Sequence, residues 1–332
     1  MKIFCDFHHG ALARSMIYLF ADRLNHKLAF PSAECVAWPE MGKQWNLYSE
    51  PWAAQLPLTR GEIRNVSYAS FNEISDGAFD VMVLTRKETA GILASLGHPK
   101  KGVTYIGVAG NEGTVYPNWV MNYILTDSVT AGLLPDVVGR VHIAQELGRN
   151  FAARGFVPIV RGSQFVSTFI NAYSDWGKAF TETFLPTRKK LSDAGLSLAL
   201  FGHGNSLVGG CNIPEGVLPD MYHMSLMTMH YKPAEGFGHS LLQSIPCGRP
   251  VIVPPEFVTT RESRHYLREG VNCVVAPWDP DAIADKITET CADEIKLNEF
   301  CRAAYESYFN VFHYESDATA VQGLLSSARS HE

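Results

Sequence analysis

The sequence predicts an α/β protein with two domains, each built on a parallel β-sheet. Short runs rich in β-branched and aromatic residues alternate with longer amphipathic stretches, which is the order of parallel βα units. Two such series follow each other with a boundary near residue 155, and a chain of 332 residues is long enough for two domains of ordinary size. Glycine turns follow several predicted strands, and open parallel sheets bind ligands at those strand ends.

The first series opens with a strand in MKIFCDF, a helix in RSMIYLFADRL and a second strand in KLAFP. Residues 34–60 contain three tryptophans (Trp38, Trp45 and Trp52) but no regular pattern. We therefore predict a long loop with short helices, a kind of segment that is often functional. The later elements of this series are predicted strands in FDVMVLTR, VTYIGVAGNEG and NYILTDS and a helix in KETAGILASLG.

The second series begins in NFAARGFVPIVRGS, where we expect a first strand that ends at Arg161. Next come a predicted helix in QFVSTFINAYSDWGKAF, a strand in LSLALFGHGN, a helix-to-strand or loop segment in YHMSLMTMHYKP and a helix after Gly238. The last elements are predicted strands in PVIVP and VNCVVAPW, a helix in DPDAIADKITETC with an Asp N-cap, and a mostly helical tail. We therefore expect two Rossmann-like domains that face a cleft, over residues 1–155 and 156–308, and a helical tail over 309–332.

The composition is that of a globular protein without a membrane span. Hydrophobic residues make up 46% of the chain, and no apolar run approaches the ~18 residues of a spanning helix. The N-terminus MKIFCDFHHG lacks the pattern of a signal peptide, and the seven cysteines lack CxxC spacing, as expected for reduced thiols in the cytoplasm. The net charge of −6 gives no sign of a dedicated nucleic-acid binder, although a local basic groove stays open.

One segment, PAEGFGHSLLQSIPCGRPVIVP, places a carboxylate beside the start of a predicted helix. Gly236 and Gly238 let the backbone approach a ligand, and the free amides and dipole of a helix N-terminus favour a phosphate. Glu235 would repel a phosphate that it faced, so we expect it to reach past the phosphate to neutral hydroxyls. A phosphate beside hydroxyl-rich rings is a nucleotide sugar. The alternative is that Glu235 only caps the helix.

The same segment, followed by REGVNCVVAPWDPDAIADKI, resembles the donor-binding part of retaining glycosyltransferases of family GT4, which have the GT-B fold. The resemblance covers about residues 230–290 and is specific, because the order, spacing and strand-helix context all agree. It implies two Rossmann-like domains facing a central cleft, with a C-terminal helix that packs back on the N-terminal domain. It also implies a metal-independent reaction in which a nucleoside-diphosphate sugar, most simply a UDP-sugar, is a co-substrate and no cofactor is bound.

The resemblance implies roles for individual residues. Glu235 would contact the donor sugar. Gln243 stands where the family has a second glutamate that binds the ribose, and its neutral amide puts donor choice or affinity in question. The other implied donor-binding residues are Phe237, Gly238 and His239, whose amides would hold the diphosphate, Ser240, the glycines Gly202 and Gly204 beside the base and ribose, and Arg161 as the diphosphate arginine. The family's lysine stays open among Lys178, Lys189 and Lys190, with Lys232 as a looser alternative.

The loop after the first strand is the main candidate for the acceptor side. Asp6 and the run His8-His9-Gly10 could hydrogen-bond an acceptor hydroxyl or the donor phosphates. The spacing of the two histidines does not suggest a metal site. Asn111 and Glu112, which follow another predicted strand, are further acceptor candidates. Each histidine also has a plain structural alternative as a core or loop residue.

The N-terminal stretch DFHHGALARSMIYLFADRL is more weakly similar to glycosyltransferases carried by tailed phages. That similarity implies an acceptor in phage DNA, a hydroxymethylated pyrimidine, and a location in the host cytoplasm. Trp45 and the neighbouring tryptophans could then stack on an extruded base. Surface glycans and small molecules stay open as acceptors.

We therefore predict a GT-B glycosyltransferase that moves a sugar from a nucleoside-diphosphate sugar to a hydroxyl, with retention of configuration. It would act as a monomer or homodimer. His8, His9, Glu235 and Arg161 are the expected catalytic residues. Two alternatives stay open: a UDP-sugar 2-epimerase of the same fold, and a catalytically degenerate module that only binds nucleotide or nucleic acid.

Overall fold

A computed structural model describes residues 1–6, 10–32, 35, 65–109, 115–125, 134, 138–143, 148–235 and 238–329. The chain divides into two compact units, which we call unit 1 (Met1–Leu147 with His313–Glu332) and unit 2 (Gly148–Phe312). The boundary between the units thus falls earlier than the predicted 155, and the C-terminal segment begins later than the predicted 309. The long tryptophan-bearing loop, apart from Cys35, lies outside the described residues.

The secondary structure follows the predicted alternation of strands and helices. The strands are β1 (Lys2–Cys5), β2 (Lys27–Pro31), β3 (Val66–Ala69), β4 (Val81–Leu84), β5 (Thr104–Ala109), β6 (Asn122–Leu125), β7 (Gly139–His142), β8 (Phe165–Phe169), β9 (Ser197–Phe201), β10 (Thr228–Met229), β11 (Val251–Val253) and β12 (Cys273–Val275). The α-helices are α1 (Gly10–Met16), α2 (Phe71–Asp76), α3 (Lys87–Ser95), α4 (Arg149–Ala152), α5 (Leu185–Asp193), α6 (Leu218–Met224), α7 (His239–Ser244), α8 (Glu256–Thr259), α9 (Pro280–Cys291), α10 (Glu294–Val311) and α11 (Tyr314–Arg329). A π-helical segment, Ile17–Arg23, continues α1.

The described part of unit 1 contains a parallel sheet in the order β3-β2-β1-β4-β5-β6-β7. Its central strands are buried on both faces, as expected for a parallel sheet covered by helices. The strand order reverses between β1 and β4, which pair in parallel. This switch point is where ligands of open parallel sheets bind.

The described part of unit 2 contains a second parallel sheet in the order β12-β11-β10-β8-β9. Here the order reverses between β8 and β10. Asp279 caps the N-terminus of α9 by accepting hydrogen bonds from the amides of Asp281 and Ala282, so the predicted Asp N-cap is confirmed. Both sheets are therefore of the doubly wound kind, and the predicted α/β class with two Rossmann-like domains is confirmed.

The first strand of unit 2 was predicted in the wrong place. FVPIV, at 156–160, is not a strand, because Pro158 cannot donate to a sheet ladder. The strand is β8, inside the segment that was predicted to be a helix. Its sequence FVSTF is rich in β-branched and aromatic residues, and it lies between β9 and β10 with its three middle residues buried.

The segment before β8 is held by a buried arginine. Arg249 is fully buried, and its guanidinium donates to the backbone carbonyls of Val157, Pro158, His223 and Ser225. Burial lowers the pKa of Arg249. A buried guanidinium is tolerated only when its donors are satisfied. Arg249 therefore connects the segment before β8, through Val157 and Pro158, to the C-terminal end of α6, through His223 and Ser225.

The C-terminal helix α11 belongs to unit 1. It packs against β6 and β7, and its apolar face joins the core of the first sheet through Ala318, Val321, Leu324 and Leu325. Gly139 permits the close approach, because a Cβ there would lie 2.5 Å from Leu324 Cδ1. The predicted return of the C-terminal helix to the N-terminal domain is therefore confirmed. Among the described helices, none has both the length and the apolar character that a bilayer crossing requires.

Candidate active site

The switch point of the second sheet brings two loops together. β8 and β10 pair with each other there, whereas β9 pairs with the opposite edge of β8. The loop after β8 carries Trp176, and the loop after β10 carries Lys232, whose Nζ lies 5.0 Å from the centre of the Trp176 ring. The chain that leaves β10 therefore lies where ligands of such sheets bind.

Glu235 lies in the loop between β10 and α7. Its Oε2 accepts a hydrogen bond from Lys232 Nζ at 3.0 Å and lies 3.3 Å from His230 Nε2. The Arg261 guanidinium donates to the backbone carbonyl of Glu235 at 2.9 Å and also to that of Pro233. The loop is thus fixed through its backbone and its carboxylate at the same time.

The neighbours of Glu235 keep it ionised. Burial alone would raise the pKa of Glu235, but His230, Lys232 and His239 hold it well below its ordinary value. Burial lowers the pKa of His239 to about 4, although the charge of Glu235 acts in the opposite direction. At neutral pH the loop therefore presents a carboxylate and an ammonium beside an uncharged His239 imidazole.

Gly238 begins helix α7 in a conformation that favours glycine. Its φ is +77°, in the left-handed region. A Cβ at this position would lie 2.7 Å from Leu241 Cδ1 and 3.0 Å from Tyr266 Oη, and both of those side chains are buried. The predicted helix start near His239 is correct, whereas Gly236 and Phe237 lie outside the described residues.

Gln243 lies on α7 and contacts a buried tyrosine. Tyr222 Oη lies 3.2 Å from Gln243 Oε1 and equally far from the backbone carbonyl of Ser240, so one hydroxyl hydrogen serves both acceptors. The Tyr222 ring stacks on Phe169, at the end of β8, with 4.1 Å between ring centroids. Tyr222 therefore connects Gln243, through its hydroxyl, to Phe169 at the end of β8, through its ring.

Gly202 and Gly204 are explained by contacts within the protein. At Gly202, where φ is +128°, a Cβ would lie 2.8 Å from Asn171 Oδ1 and 2.8 Å from the backbone carbonyl oxygen of Ile170. At Gly204, where φ is +82°, a Cβ would lie 3.2 Å from the Cβ of Ala172. The loop after β9 therefore packs against the loop after β8, and this packing requires glycine whether or not a ligand binds nearby.

The sequence predicted that Arg161 ends a strand, but the structure shows no strand there. Arg161 is exposed and precedes β8, at the opposite end of the sheet from Glu235. Of the four candidate lysines, Lys232 is the one that contacts Glu235. The others lie in the stretch after β8: Lys178 pairs with Glu182, Lys190 pairs with Asp281, and Lys189 is exposed on α5.

The sequence did not single out His230 and Arg261 as site residues. His230 directly follows β10, and its Nδ1 lies 3.0 Å from Ser240 Oγ, in the first turn of α7. Arg261 lies two residues after α8, which follows β11. The position of a histidine directly after a predicted strand could have identified His230, whereas no local signal connects Arg261 with Glu235.

In unit 1, Asp6 lies at the switch point between β1 and β4. It is fully buried, and its Oδ1 accepts hydrogen bonds from the Thr85 amide and hydroxyl at 2.6 Å each, while Oδ2 accepts from the Arg86 amide at 3.3 Å. Asp6 therefore fixes the loop after β4, and its oxygens are engaged by the protein. Gly10 is the first residue of α1.

Several candidate residues of the acceptor side and of the donor loop lie outside the described residues: His8, His9, Trp45, Asn111, Glu112 and Phe237. Among the residues that the structure does describe, no group of three or more histidine, cysteine, aspartate or glutamate side chains could hold a metal ion. The predictions made for the undescribed residues stay predictions.

Comparison with known proteins identifies the part of the chain that contains this site. Residues 207–307 match the family Glycosyl transferases group 1. Glu235, Gly238 and Gln243 lie within that range. No curated protein sequence matches the chain.

The fold of the whole chain is similar to that of solved glycosyltransferases. HepE from Anabaena, in complex with UDP and glucose, has a TM-score of 0.70 at 12% identity, with 98% of this chain and 100% of that chain covered. Sucrose-phosphate synthase from Thermosynechococcus elongatus has a TM-score of 0.66 at 11% identity, with both chains fully covered. A glycosyltransferase from Rickettsia africae has a TM-score of 0.65 at 11% identity, with 98% of each chain covered. The protein is therefore a glycosyltransferase with the GT-B fold, and its residues 207–307 match the group 1 family.

Proposed function

We propose that the protein transfers a sugar from a UDP-sugar to a hydroxyl acceptor, with retention of the anomeric configuration. The observation that carries the donor proposal is the Glu235 carboxylate, 14% exposed and held by Lys232 and His230, three residues before the left-handed Gly238 at the start of α7 and inside the range that matches the group 1 family. UDP is the proposed nucleotide because HepE, which has a similar fold, was solved with UDP and glucose.

In the proposed donor site, different protein groups bind the diphosphate, the sugar and the nucleoside of the UDP-sugar. The diphosphate would lie at the amides of residues 237–239, where a helix start with a left-handed glycine leaves backbone donors for an anion. Glu235 would accept a hydrogen bond from a sugar hydroxyl, because an ionised carboxylate prefers neutral donors to phosphate. Gln243 and Ser240, in the first two turns of α7, would lie on the nucleotide side.

Lys232 replaces Arg161 in our proposal as the cation for the leaving diphosphate. Its side chain is 24% exposed, it lies in the loop after β10, and its ammonium already contacts the carboxylate that would hold the sugar. Negative charge grows on the diphosphate as the sugar bond breaks, so a fixed ammonium and the helix amides stabilise that transition state. Arg161 precedes β8, whereas Glu235 follows β10. Because these strands are parallel, Arg161 lies at the opposite end of the sheet and does not share this role in our proposal.

The acceptor proposal is a hydroxymethylated pyrimidine in phage DNA. It is supported by the N-terminal sequence alone, through the run His8-His9 after β1 and the tryptophans around Trp45. The test is a mass measurement on hydroxymethylated and unmodified DNA after incubation with the protein and UDP-glucose. A gain of one hexose on the modified DNA alone supports the proposal. No gain, together with transfer to a glycan or small-molecule acceptor, would refute it, and NMR of the product separates retention from inversion.

The donor proposal is tested by Glu235→Gln. UDP release from UDP-glucose without an acceptor should fall about 10- to 100-fold in kcat/KM, since a hydrogen bond to a charged group contributes about 1.5–3 kcal/mol. The matched control is Glu289→Gln. Glu289 has the same spacing from its lysine, Lys286, and the same 3.0 Å contact, but it lies on the exposed face of α9.

The outcomes separate the remaining alternatives. Equal rates in the Glu235 and Glu289 variants would contradict the assigned role of Glu235. Conversion of UDP-glucose to an epimer without an acceptor would indicate a 2-epimerase instead. Tight UDP binding without any turnover in the wild type would indicate a module that binds nucleotide only.

A further inference from the structure

His230 is the first residue of the loop that holds Glu235. Its backbone amide donates to the carbonyl of Ile252 on β11, and its ring packs edge-on against Phe257 with centroids 5.5 Å apart. The residue is only 1% exposed. The ring is thus held from two sides and has little freedom to turn.

The two ring nitrogens of His230 face different parts of the site. Nδ1 lies 3.0 Å from Ser240 Oγ, in the first turn of α7. Nε2 lies 3.3 Å from Glu235 Oε2, but it has no well-aligned hydrogen bond among the described residues, although it is buried. The carboxylate favours a proton on Nε2, so Nδ1 accepts the hydrogen of the Ser240 hydroxyl.

A histidine of the other unit shows what a purely structural role looks like. His98 is also buried, but both of its nitrogens have ordinary partners, Tyr105 Oη at 2.7 Å and the carbonyl of Ile74 at 3.0 Å. Buried polar groups are normally satisfied in this way. The Nε2 of His230 instead points at an ionised carboxylate in a candidate active site, where contacts often tighten only when substrate binds.

The contacts of Glu235 use one oxygen. Both Lys232 Nζ and His230 Nε2 lie against Oε2. Among the described residues, these two contacts leave Oε1 as the oxygen that can accept a hydrogen bond from a sugar hydroxyl. Rotation of the carboxylate would break both contacts of Oε2 at once, so two partners on this oxygen restrict that rotation more than one partner would.

We infer that His230 is a positioning residue that fixes the rotation of the Glu235 carboxylate and links it to the first turn of α7. Through Ser240, the imidazole keeps the sugar side of the donor site at a set distance from the helix start that would hold the diphosphate. This inference rests on the proposed UDP-sugar donor. It assigns to His230 an effect on the sugar and none on the nucleotide.

Two substitutions separate the two nitrogens. In His230→Gln the side-chain amide nitrogen reaches the position of Nε2 and can still donate to Glu235. In His230→Asn the amide reaches only the position of Nδ1 and can contact Ser240 alone. With UDP-glucose as the probe, we expect kcat/KM for UDP release to fall about 10- to 100-fold in His230→Asn, the size typical of a mispositioned catalytic group. His230→Gln should recover most of that loss.

UDP affinity supplies the readout that a purely structural role would not give. UDP lacks the sugar, so its Kd should stay within about two-fold of the wild-type value in both variants while kcat/KM for UDP-glucose differs between them. Equal losses in the two variants, or a loss of UDP affinity that matches the loss of kcat/KM, would overturn the inference. His98→Asn controls for the removal of a buried histidine and should leave the ratio of the two measurements unchanged.

A second variant keeps the test usable if His230→Asn does not fold. Ser240→Ala removes the polar partner of Nδ1 and leaves the imidazole in place. We expect kcat/KM for UDP-glucose to fall several-fold, by a larger factor than the affinity for UDP, and an unchanged kcat/KM would refute the link to α7. Failure of the wild type to release UDP from any UDP-sugar would instead count against the proposed function, so the two failures are distinguishable.

Discussion

Two carboxylates, the buried Asp6 and the partly buried Glu235, lie at the switch points of the two sheets, and their surroundings shift their pKa values in opposite directions. Burial raises the pKa of Asp6 to about 6, because the partners that lower it are the uncharged hydroxyl and amide groups of Thr85, Thr89 and Arg86. Glu235 is held below its ordinary pKa because Lys232 and His230 outweigh the effect of burial. The first carboxylate is suited to holding a loop, and the second to meeting a ligand as an anion.

The raised pKa of Asp6 predicts a pH dependence of stability. Between about pH 4 and pH 6 the folded protein keeps a proton on Asp6 that the unfolded chain has released. The free energy of unfolding should therefore fall by about 2 kcal/mol from about pH 4.5 to pH 7 through this residue. Other titrating groups cancel when the wild type is compared with Asp6→Asn, whose side chain does not titrate. Urea unfolding of both proteins at the two pH values measures the difference.

The variant should become more stable relative to the wild type as the pH rises. Its stability at a single pH is not informative, because the asparagine amide also faces the Arg86 amide and has a constant cost. Parallel pH dependences in the two proteins would show that Asp6 is ionised throughout this range. Its role as the anchor of the loop after β4 would be unaffected by that result.

At the level of single residues, the sequence predicts correctly the positions that local geometry decides. The position of Gly238 at the start of α7 could be predicted because a glycine before an apolar helical stretch leaves a clear local pattern. His230 could not, because its contact with Ser240 forms only when the chain after β10 folds back along α7. Arg161 was misplaced because its position depended on a strand that Pro158 prevents.

At the level of elements, the start of α7 requires a glycine for two reasons that can be separated. Gly238 and Gly270 have almost the same φ, +77° and +76°. A Cβ at Gly270 meets nothing within 4 Å, whereas a Cβ at Gly238 would lie 2.7 Å from Leu241 Cδ1. Gly270→Ala therefore isolates the backbone cost, and Gly238→Ala adds crowding at the proposed diphosphate site.

We expect Gly270→Ala to cost about 1 kcal/mol of stability, the cost of a left-handed alanine, and to leave UDP affinity unchanged. Gly238→Ala should cost at least about 1 kcal/mol more, because the buried Leu241 and Tyr266 have little room to move. UDP affinity should fall at least about ten-fold. Thermal melts and isothermal titration with UDP measure the two effects. Unchanged UDP affinity in Gly238→Ala would contradict the location of the diphosphate at α7.

The elements themselves were predicted well where their pattern was local. The amphipathic α9 with its Asp279 cap and the strands β4, β5 and β9 all follow from periodicity and turn residues. β8 was missed because a central parallel strand is buried on both faces and so lacks the period-two alternation that marks a half-exposed strand. Pairing with β9 and β10 decides the structure of that segment, and this long-range information is not in the segment itself.

At the level of the whole molecule, the chain crosses from unit 1 to unit 2 and returns. α11 contributes Val321 and Leu325, both essentially fully buried, to the core that includes Ile3, Val81 and Ile124. The first unit is therefore incomplete until the last residues of the chain are in place. The sequence indicated this return only through the resemblance to GT-B proteins, because the apolar face of α11 does not specify which sheet it covers.

Because α11 completes the core of unit 1, a destabilising substitution in α11 should weaken unit 1. Leu325→Ala removes a large side chain that is 1% exposed, and it should cost about 2–5 kcal/mol. Amide hydrogen exchange should become faster in β6 and β7, which α11 contacts, while exchange in α7 and the affinity for UDP stay as in the wild type. Ile287→Ala is the matched control, since Ile287 is fully buried on α9 in the core of unit 2. That variant should leave exchange in β6 and β7 unchanged and accelerate it around β9 and α9. A nearly neutral Leu325→Ala, or faster exchange in unit 2 than in unit 1, would mean that α11 does not stabilise the first sheet.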